Sequence, residues 1–116
     1  MKPSNIKIIT LCGSTKFYED TERVATMLSK NGYLVLRTSF YSQSRDKDLF
    51  DSMTPQEQNE MVDRFVHEHC MMIYMSNGIY VINPNGYIGE STKKEIEYAK
   101  SLGKFIMYME APTKNE

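Results

Sequence analysis

The stretch that decides the fold runs from Ile6 to Leu36: IKIITLCGSTKFYEDTERVATMLSKNGYLVL. Ile6 to Cys12 is a short β-branched run that stops at Gly13, the pattern of a strand buried on both faces. From Thr15 to Lys30 the apolar positions Phe17, Val24, Ala25 and Leu28 fall at helical spacing. Asn31-Gly32 stops that helix, with Gly32 suited to a left-handed cap. Tyr33 to Leu36 (YLVL) is a second strand. Strand, helix and strand in so few residues predict a βαβ unit and hence a parallel sheet.

Working outward, Thr38 to Met53 is polar and reads as a long loop. Loops of that length are usually functional or mobile, and a lid over a site fits its position after the second strand. Thr54, Pro55 and Glu57 then open a helix as N-cap, first helical residue and capping-box partner. That helix carries Met61, Val62, Phe65, Val66, His69 and Ile73 on one face and ends near Ser76-Asn77-Gly78. Ile79 to Asn83 (IYVIN) is a third strand, and Pro84 to Gly89 (PNGYIG) a turn-rich loop. Ser91 to Leu102 is a further helix capped by Gly103, and Phe105 to Met109 (FIMYM) a fourth strand. Strands and helices in this alternation predict a flavodoxin-like or Rossmann-like three-layer α/β sandwich. Its parallel four-stranded sheet takes the order 2-1-3-4, with helices on both faces. Residues 1–110 are expected to form this single domain, and 111–116 a polar tail that frays.

Bulk properties narrow the partners. A chain of 116 residues suits one core. A net charge of -1 gives no basic patch for a nucleic-acid polymer or a membrane surface, so neither is expected as a partner. No run approaches the ~20 apolar residues of a membrane span, and the N-terminal stretch lacks the form of a signal peptide. Cys12 and Cys70 lie far apart in apolar runs, as buried thiols of a reducing compartment do. A cytoplasmic location follows as the expectation. No metal-ligand spacing and no cofactor fingerprint occurs, so neither a metal nor a cofactor is expected.

In a sheet of this order, ligands bind outside the carboxyl ends of the strands, near the point where the order reverses. Two loops qualify. Gly13-Ser14-Thr15-Lys16 follows the first strand, and the segment from Asn83 through Gly86, Gly89, Glu90 and Ser91 follows the third. Glycine lets a ligand approach the backbone, hydroxyls donate, and a helix start adds free N–H groups. Ser14 and Ser91 serve equally well as simple helix caps, and the residues alone leave the two readings level.

Of the carboxylates in the last helix, Glu95 stands apart. Thr92, Ile96, Ala99 and Leu102 define its buried stripe, and Glu95 falls inside it. Glu97 lies opposite, four residues from Lys93, as a solvated ion pair does. A carboxylate in an apolar stripe costs free energy unless it is paired or used, although a long side chain can also reach solvent from the stripe's edge. His69 occupies the apolar face of the preceding helix, where a lone histidine is more often a satisfied core or interface residue than a catalyst. The run Cys70-Met71-Met72-Ile73-Tyr74-Met75 is apolar on more than one face. It suggests burial against a second copy, as a homodimer or higher oligomer through residues 69–75.

Two stretches, Leu11 to Phe17 (LCGSTKF) and Asn83 to Lys104 (NPNGYIGESTKKEIEYAKSLGK), resemble the nucleoside 2-deoxyribosyltransferase-like superfamily. The similarity is to its small bacterial and phage members and extends from the first strand to the fourth. It implies that Glu95 is a nucleophile at the anomeric carbon of a nucleoside or nucleoside monophosphate, forming a glycosyl-enzyme ester. A second base or water then takes the sugar. It also implies that Gly13 to Lys16 hold the sugar or a 5'-phosphate, with Ser14 and Ser91 on the phosphate. His69 falls near the place where the family's transferases carry an aspartate facing the base. Glu90 stands about a residue away from the acid that often precedes the nucleophile. A histidine could bind the base or protonate it as it leaves. The related non-catalytic domains imply an alternative, binding of a nucleotide or a nucleotide-derived signal.

Overall fold

The computed structural model describes residues 5–112. Strands β1 (Ile8–Gly13), β2 (Leu34–Leu36), β3 (Gly78–Ile82) and β4 (Phe105–Tyr108) form one parallel sheet in the order β2-β1-β3-β4. Helices α1 (Tyr18–Lys30), α2 (Lys47–Asp51), α3 (Pro55–Met75) and α4 (Glu90–Ser101) connect them. This is the expected α/β sandwich and strand order.

The layers follow from connection handedness. A parallel crossover is right-handed in nearly all proteins. The step from β1 to β2 runs one way across the sheet, and those from β2 to β3 and from β3 to β4 run the other. Right-handedness therefore puts α1 on one face and α3 with α4 on the opposite face. The core is partitioned in that way. Ile9, Leu11, Tyr80 and Ile82 pack with Val24 and Leu28 of α1. Cys12, Ile79 and Val81 pack with Ile73 of α3 and with Ile96 and Ala99 of α4. Strict alternation along β1 and β3 feeds both cores, because successive strand residues point to opposite faces.

Glycine sets the closeness of the two central strands. Gly13 pairs with Ile82 across β1 and β3, and a Cβ there would stand 2.9 Å from Ile82 Cβ and 3.0 Å from its carbonyl oxygen. Gly103 ends α4 with φ of +70°, as expected for its cap. The capping box of α3 is complete: Thr54 Oγ1 accepts from Glu57 N, and Glu57 accepts from Thr54 N.

Several expectations are corrected. Helix α1 starts at Tyr18 rather than Thr15, because residues 14–17 form a turn closed by Phe17 N–H donating to the Ser14 carbonyl at 3.1 Å. The segment 38–53 is not one loop, since it contains α2. Of the apolar face expected on α3, only Ile73 is fully buried, while Val62 and Val66 are exposed. Length is the reason. Twenty-one residues of helix span about 31 Å, and five residues of β3 span about 16 Å. The N-terminal part of α3 overhangs the carboxyl edge of the sheet and walls off the space beyond it. Among the described residues, no helix is long and apolar enough to cross a membrane. The expected fraying at 113–116 lies outside the described residues.

Candidate functional site

A cleft of about 370 Å³ opens at the carboxyl ends of β1 and β3, where the chain's crossovers diverge. Its floor is Leu11, Cys12 and the turn Gly13 to Lys16. One wall is the overhang of α3, with Val62, Phe65, Val66, His69 and Met72, and the other is the start of α4, from Gly89 to Glu95. The segment after β2 closes the end with Arg37, Thr38, Tyr41 and Gln43.

The chemistry concentrates where α3 and α4 meet above β1. His69 Nδ1 contacts Glu95 Oε2 directly, and the two side chains are only 16% and 18% exposed. On the other side of the ring, Nε2 donates to the Leu11 carbonyl at 2.9 Å, and Cys12 Sγ lies 3.7 Å from the same nitrogen. A carbonyl only accepts, so Nε2 carries hydrogen. Nδ1 and the Glu95 carboxylate therefore share one proton. Burial, the strongest influence on His69, opposes the imidazolium. The hydrogen bonds to Cys12 and Glu95, with the Glu95 charge, outweigh it, and the His69 pKa stands well above the ordinary 6.5. Burial pushes the Cys12 pKa up, so that group stays a neutral thiol. The imidazolium therefore owes its stability to Glu95.

Sulfur, imidazole and carboxylate ligand atoms of Cys12, His69 and Glu95 lie within 4.8 Å of one another, a convergence the spacing in sequence hides. They do not surround one point. His69 lies between its partners, one nitrogen toward Cys12 and the other toward Glu95. A single ion could take all three only after the ring turned. The arrangement is a hydrogen-bonded pair resting on a thiol.

The two loops meet across the cleft. Lys16 Nζ stacks 4.2 Å above the Tyr87 ring, and Phe17 meets the same ring edge-on. Gly13, Ser14, Thr15, Lys16, His69, Gly89, Glu90, Ser91 and Glu95 all line the space. The capping alternative for the serines fails. Phe17 is the N-cap of α1 and Gly89 that of α4, and neither cap has a side-chain hydrogen bond. Ser14 Oγ instead accepts from Lys16 N at 3.2 Å and from Gln43 Nε2 at 3.4 Å. Its own proton is left to donate. Gln43 also donates to Thr15 Oγ1 at 2.8 Å, and Ser44 Oγ donates to the Thr15 carbonyl at 2.6 Å. The segment after β2 is thus strapped to the first loop.

Asn83 and Gly86 are not brought to the cleft. Asn83 is fully buried; its Nδ2 donates to the Glu110 carbonyl and its Oδ1 accepts from Glu110 N, both at 2.9 Å. That amide ties the chain after β4 to the end of β3. Gly86, with φ of +78°, shapes the 3-10 turn Pro84–Gly86. Lys93 leans toward Glu90 at 3.4 Å rather than toward Glu97. Arg37, Tyr41 and Gln43 escaped the sequence reading because they lie in a polar segment without periodicity. The pairing of His69 with Glu95 escaped it because 26 residues separate them, although both positions were single polar breaks in an apolar stripe.

The fold and cleft define a class: a parallel α/β domain with a partly buried carboxylate–imidazole pair at its switch point. No family model, no curated protein and no solved structure matches the chain.

Proposed function

We propose that the protein cleaves or transfers the N-glycosidic bond of a (deoxy)nucleoside or nucleoside monophosphate through a covalent glycosyl-Glu95 intermediate. The observation that carries the reading is the His69–Glu95 pair, a carboxylate held beside a proton donor in the walls of a cleft of substrate size. The resemblance of the two loops to nucleoside 2-deoxyribosyltransferase-like proteins supplies the substrate class.

The chemistry follows from the shared proton. A Glu95 oxygen attacks C1' of the sugar, the C1'–N bond breaks, and its electron pair leaves with the base. Once Glu95 is an ester it has no charge, so the imidazolium loses the partner that raised its pKa. His69 then gives its proton to the departing base. Neutral His69 next removes a proton from water or helps the incoming base to attack C1'. Glu95 leaves as a carboxylate, and configuration is retained over two displacements. The free Ser14 hydroxyl, Lys16 and Ser91 suit a sugar hydroxyl or a 5'-phosphate at the other end of the substrate.

A second reading has its own support. An ion pair satisfies both charges within the protein, and a carboxylate so engaged is a weaker nucleophile. The same cleft then holds a nucleotide or a nucleotide-derived signal without turning it over. Two further parts of the proposal concern context. Both cysteines are free thiols, in keeping with a cytoplasmic protein. The exposed side chains Met71, Tyr74 and Met75 favour self-association through α3.

The test is a chromatographic product assay with deoxynucleosides and their monophosphates, with and without a free acceptor base. Released base identifies a hydrolase and an exchanged nucleoside a transferase. Glu95→Gln keeps the hydrogen bond to a neutral His69 and is expected to lower the rate by about 10³-fold or more. Tight binding without product from any substrate selects the second reading, and unchanged turnover in Glu95→Gln removes the first.

A further inference from the structure

We propose that the ligand of the cleft carries an anionic group bound at Lys16, and that Tyr87 is the positioning residue whose ring holds the Lys16 ammonium for it. The inference rests on the cleft being a nucleoside or nucleotide site. It goes further in choosing the 5'-phosphorylated form over the nucleoside and in giving Tyr87 a role.

Charge balance in the cleft is the first observation. Of the charged side chains that line it, Glu95 contacts His69, Glu68 lies 3.6 Å from Arg64, Glu90 lies 3.4 Å from Lys93, and Arg37 contacts Glu22. Lys16 lines the same space and has no ion pair among the described residues. Every other charge in the cleft is matched within the protein. The charge left for a ligand to neutralise is therefore the Lys16 ammonium, and a concave site strengthens its pull on an anion.

The second observation is that this lysine is held. Its Nζ stands 4.2 Å from the centre of the Tyr87 ring. A long flexible side chain loses rotamer freedom when it binds, and a partner that has already ordered it removes part of that cost. The ring is fixed in turn. Phe17 meets it edge-on with centroids 5.8 Å apart, and its hydroxyl passes so near Gly89 that a Cβ there would stand 3.3 Å away. Behind the ring, Gly86 N–H donates to the Asn83 carbonyl at 2.8 Å, Tyr87 N–H donates to the Pro84 carbonyl at 3.1 Å, and the Glu110 carboxylate accepts from Asn85 N. Tyr87 is nonetheless 45% exposed, so burial in the core is not what holds it there. Its contacts run from the turn after β1 to the start of α4, across one side of the cleft. The ring covers one side of the ammonium, and N–H donors on the other side remain for an anion. Ser14, on the same turn, has its proton left to donate. Unprotonated phosphate oxygens take charge-assisted hydrogen bonds from such donors, roughly twice as strong as those a neutral hydroxyl accepts. A 5'-hydroxyl leaves the Lys16 charge unmatched.

Titration calorimetry on the full chain tests this, in the parent and in Glu95→Gln, where turnover does not consume the ligand. The probes are deoxyuridine and deoxyadenosine, each as the nucleoside and as its 5'-monophosphate. The monophosphate is expected to bind about tenfold more tightly than its nucleoside. Lys16→Met removes most of that preference by weakening the monophosphate alone. Tyr87→Leu lowers the preference about threefold and leaves the nucleoside affinity unchanged, while Tyr87→Phe, which keeps the ring face, retains the parent ratio. Equal binding of the two forms to the parent, or an unchanged preference in Lys16→Met, overturns the anion site while the cleft keeps its reading. Equal loss for both forms in Tyr87→Leu, no loss in it, or Tyr87→Phe behaving as Tyr87→Leu does, overturns the role of the ring. If no nucleoside or nucleotide binds to either protein, the reading of the cleft fails and this inference fails with it.

Discussion

Glu95 and His69 each interrupt an apolar helix stripe, and their contact makes them a unit. The sign of the pH dependence follows from His69. Its pKa is raised in the folded protein, so the unfolded chain loses its proton first as pH rises. The stability this provides is complete below the ordinary value of 6.5 and is lost as pH climbs through the higher folded value. Urea midpoints measured on that alkaline side should fall with pH in the parent and stay flatter in His69→Asn. The same pair predicts that turnover declines on the alkaline side as the imidazolium disappears, with an apparent pKa belonging to the pair. A rate that climbs steadily through that range would contradict His69 as the proton donor. Glu95 was legible beforehand, because helical periodicity isolates a carboxylate in an apolar stripe. The role of Asn83 was not, since an amide at a strand end looks alike whether it faces a ligand or a backbone. The structure gives it to Glu110.

At the scale of elements, β1 and β3 carry the site because they approach closely at Gly13 and Ile82. Gly13→Ala forces a methyl against β-sheet backbone, which has no room to give. A loss of about 2 kcal/mol is expected. Gly78→Ala instead meets the Phe105 ring, which sits on an edge strand, is 36% exposed and can swing aside. A smaller loss of about 1 kcal/mol is expected there. Denaturant midpoints of the two variants check the ranking, and the reverse order would contradict the account. The start of α3 offers a third measurement. Thr54→Ala removes one half of the capping box and should cost about 1 kcal/mol. Because that end of α3 overhangs the sheet, fraying there is also expected to loosen the cleft wall at Val62 and Val66. Protection of their amides from hydrogen exchange should fall more than that of β3.

For the whole molecule, the crossovers place α3 and α4 on one face, and nothing more local would bring His69 to Glu95. The same face leaves Met71, Tyr74 and Met75 at 58%, 62% and 51% exposure, far above what a buried helix shows. Sedimentation at rising concentration should show self-association that Tyr74→Lys suppresses. A monomer at all concentrations in the parent would remove the oligomer from the proposal. Cys12, beneath the imidazole and fully buried, should resist alkylation until the chain unfolds.

By itself the sequence determined the order of elements, the parallel sheet, the strand order and the two loops at the switch point. Those depend on periodicity, glycine stops and chain connectivity, which are local or follow from handedness. The isolation of Glu95 in its stripe belongs with them. Only the tertiary structure decided which polar groups meet. His69 is paired with Glu95 and Leu11, Asn83 is committed to Glu110, Ser14 is freed from capping, and Tyr41 is buried with its hydroxyl unmatched. Each is a contact at hydrogen-bond range between distant parts of the chain, or the lack of one. Such contacts depend on where side chains end in space, and a periodic pattern of apolar residues says only which face a side chain leaves from.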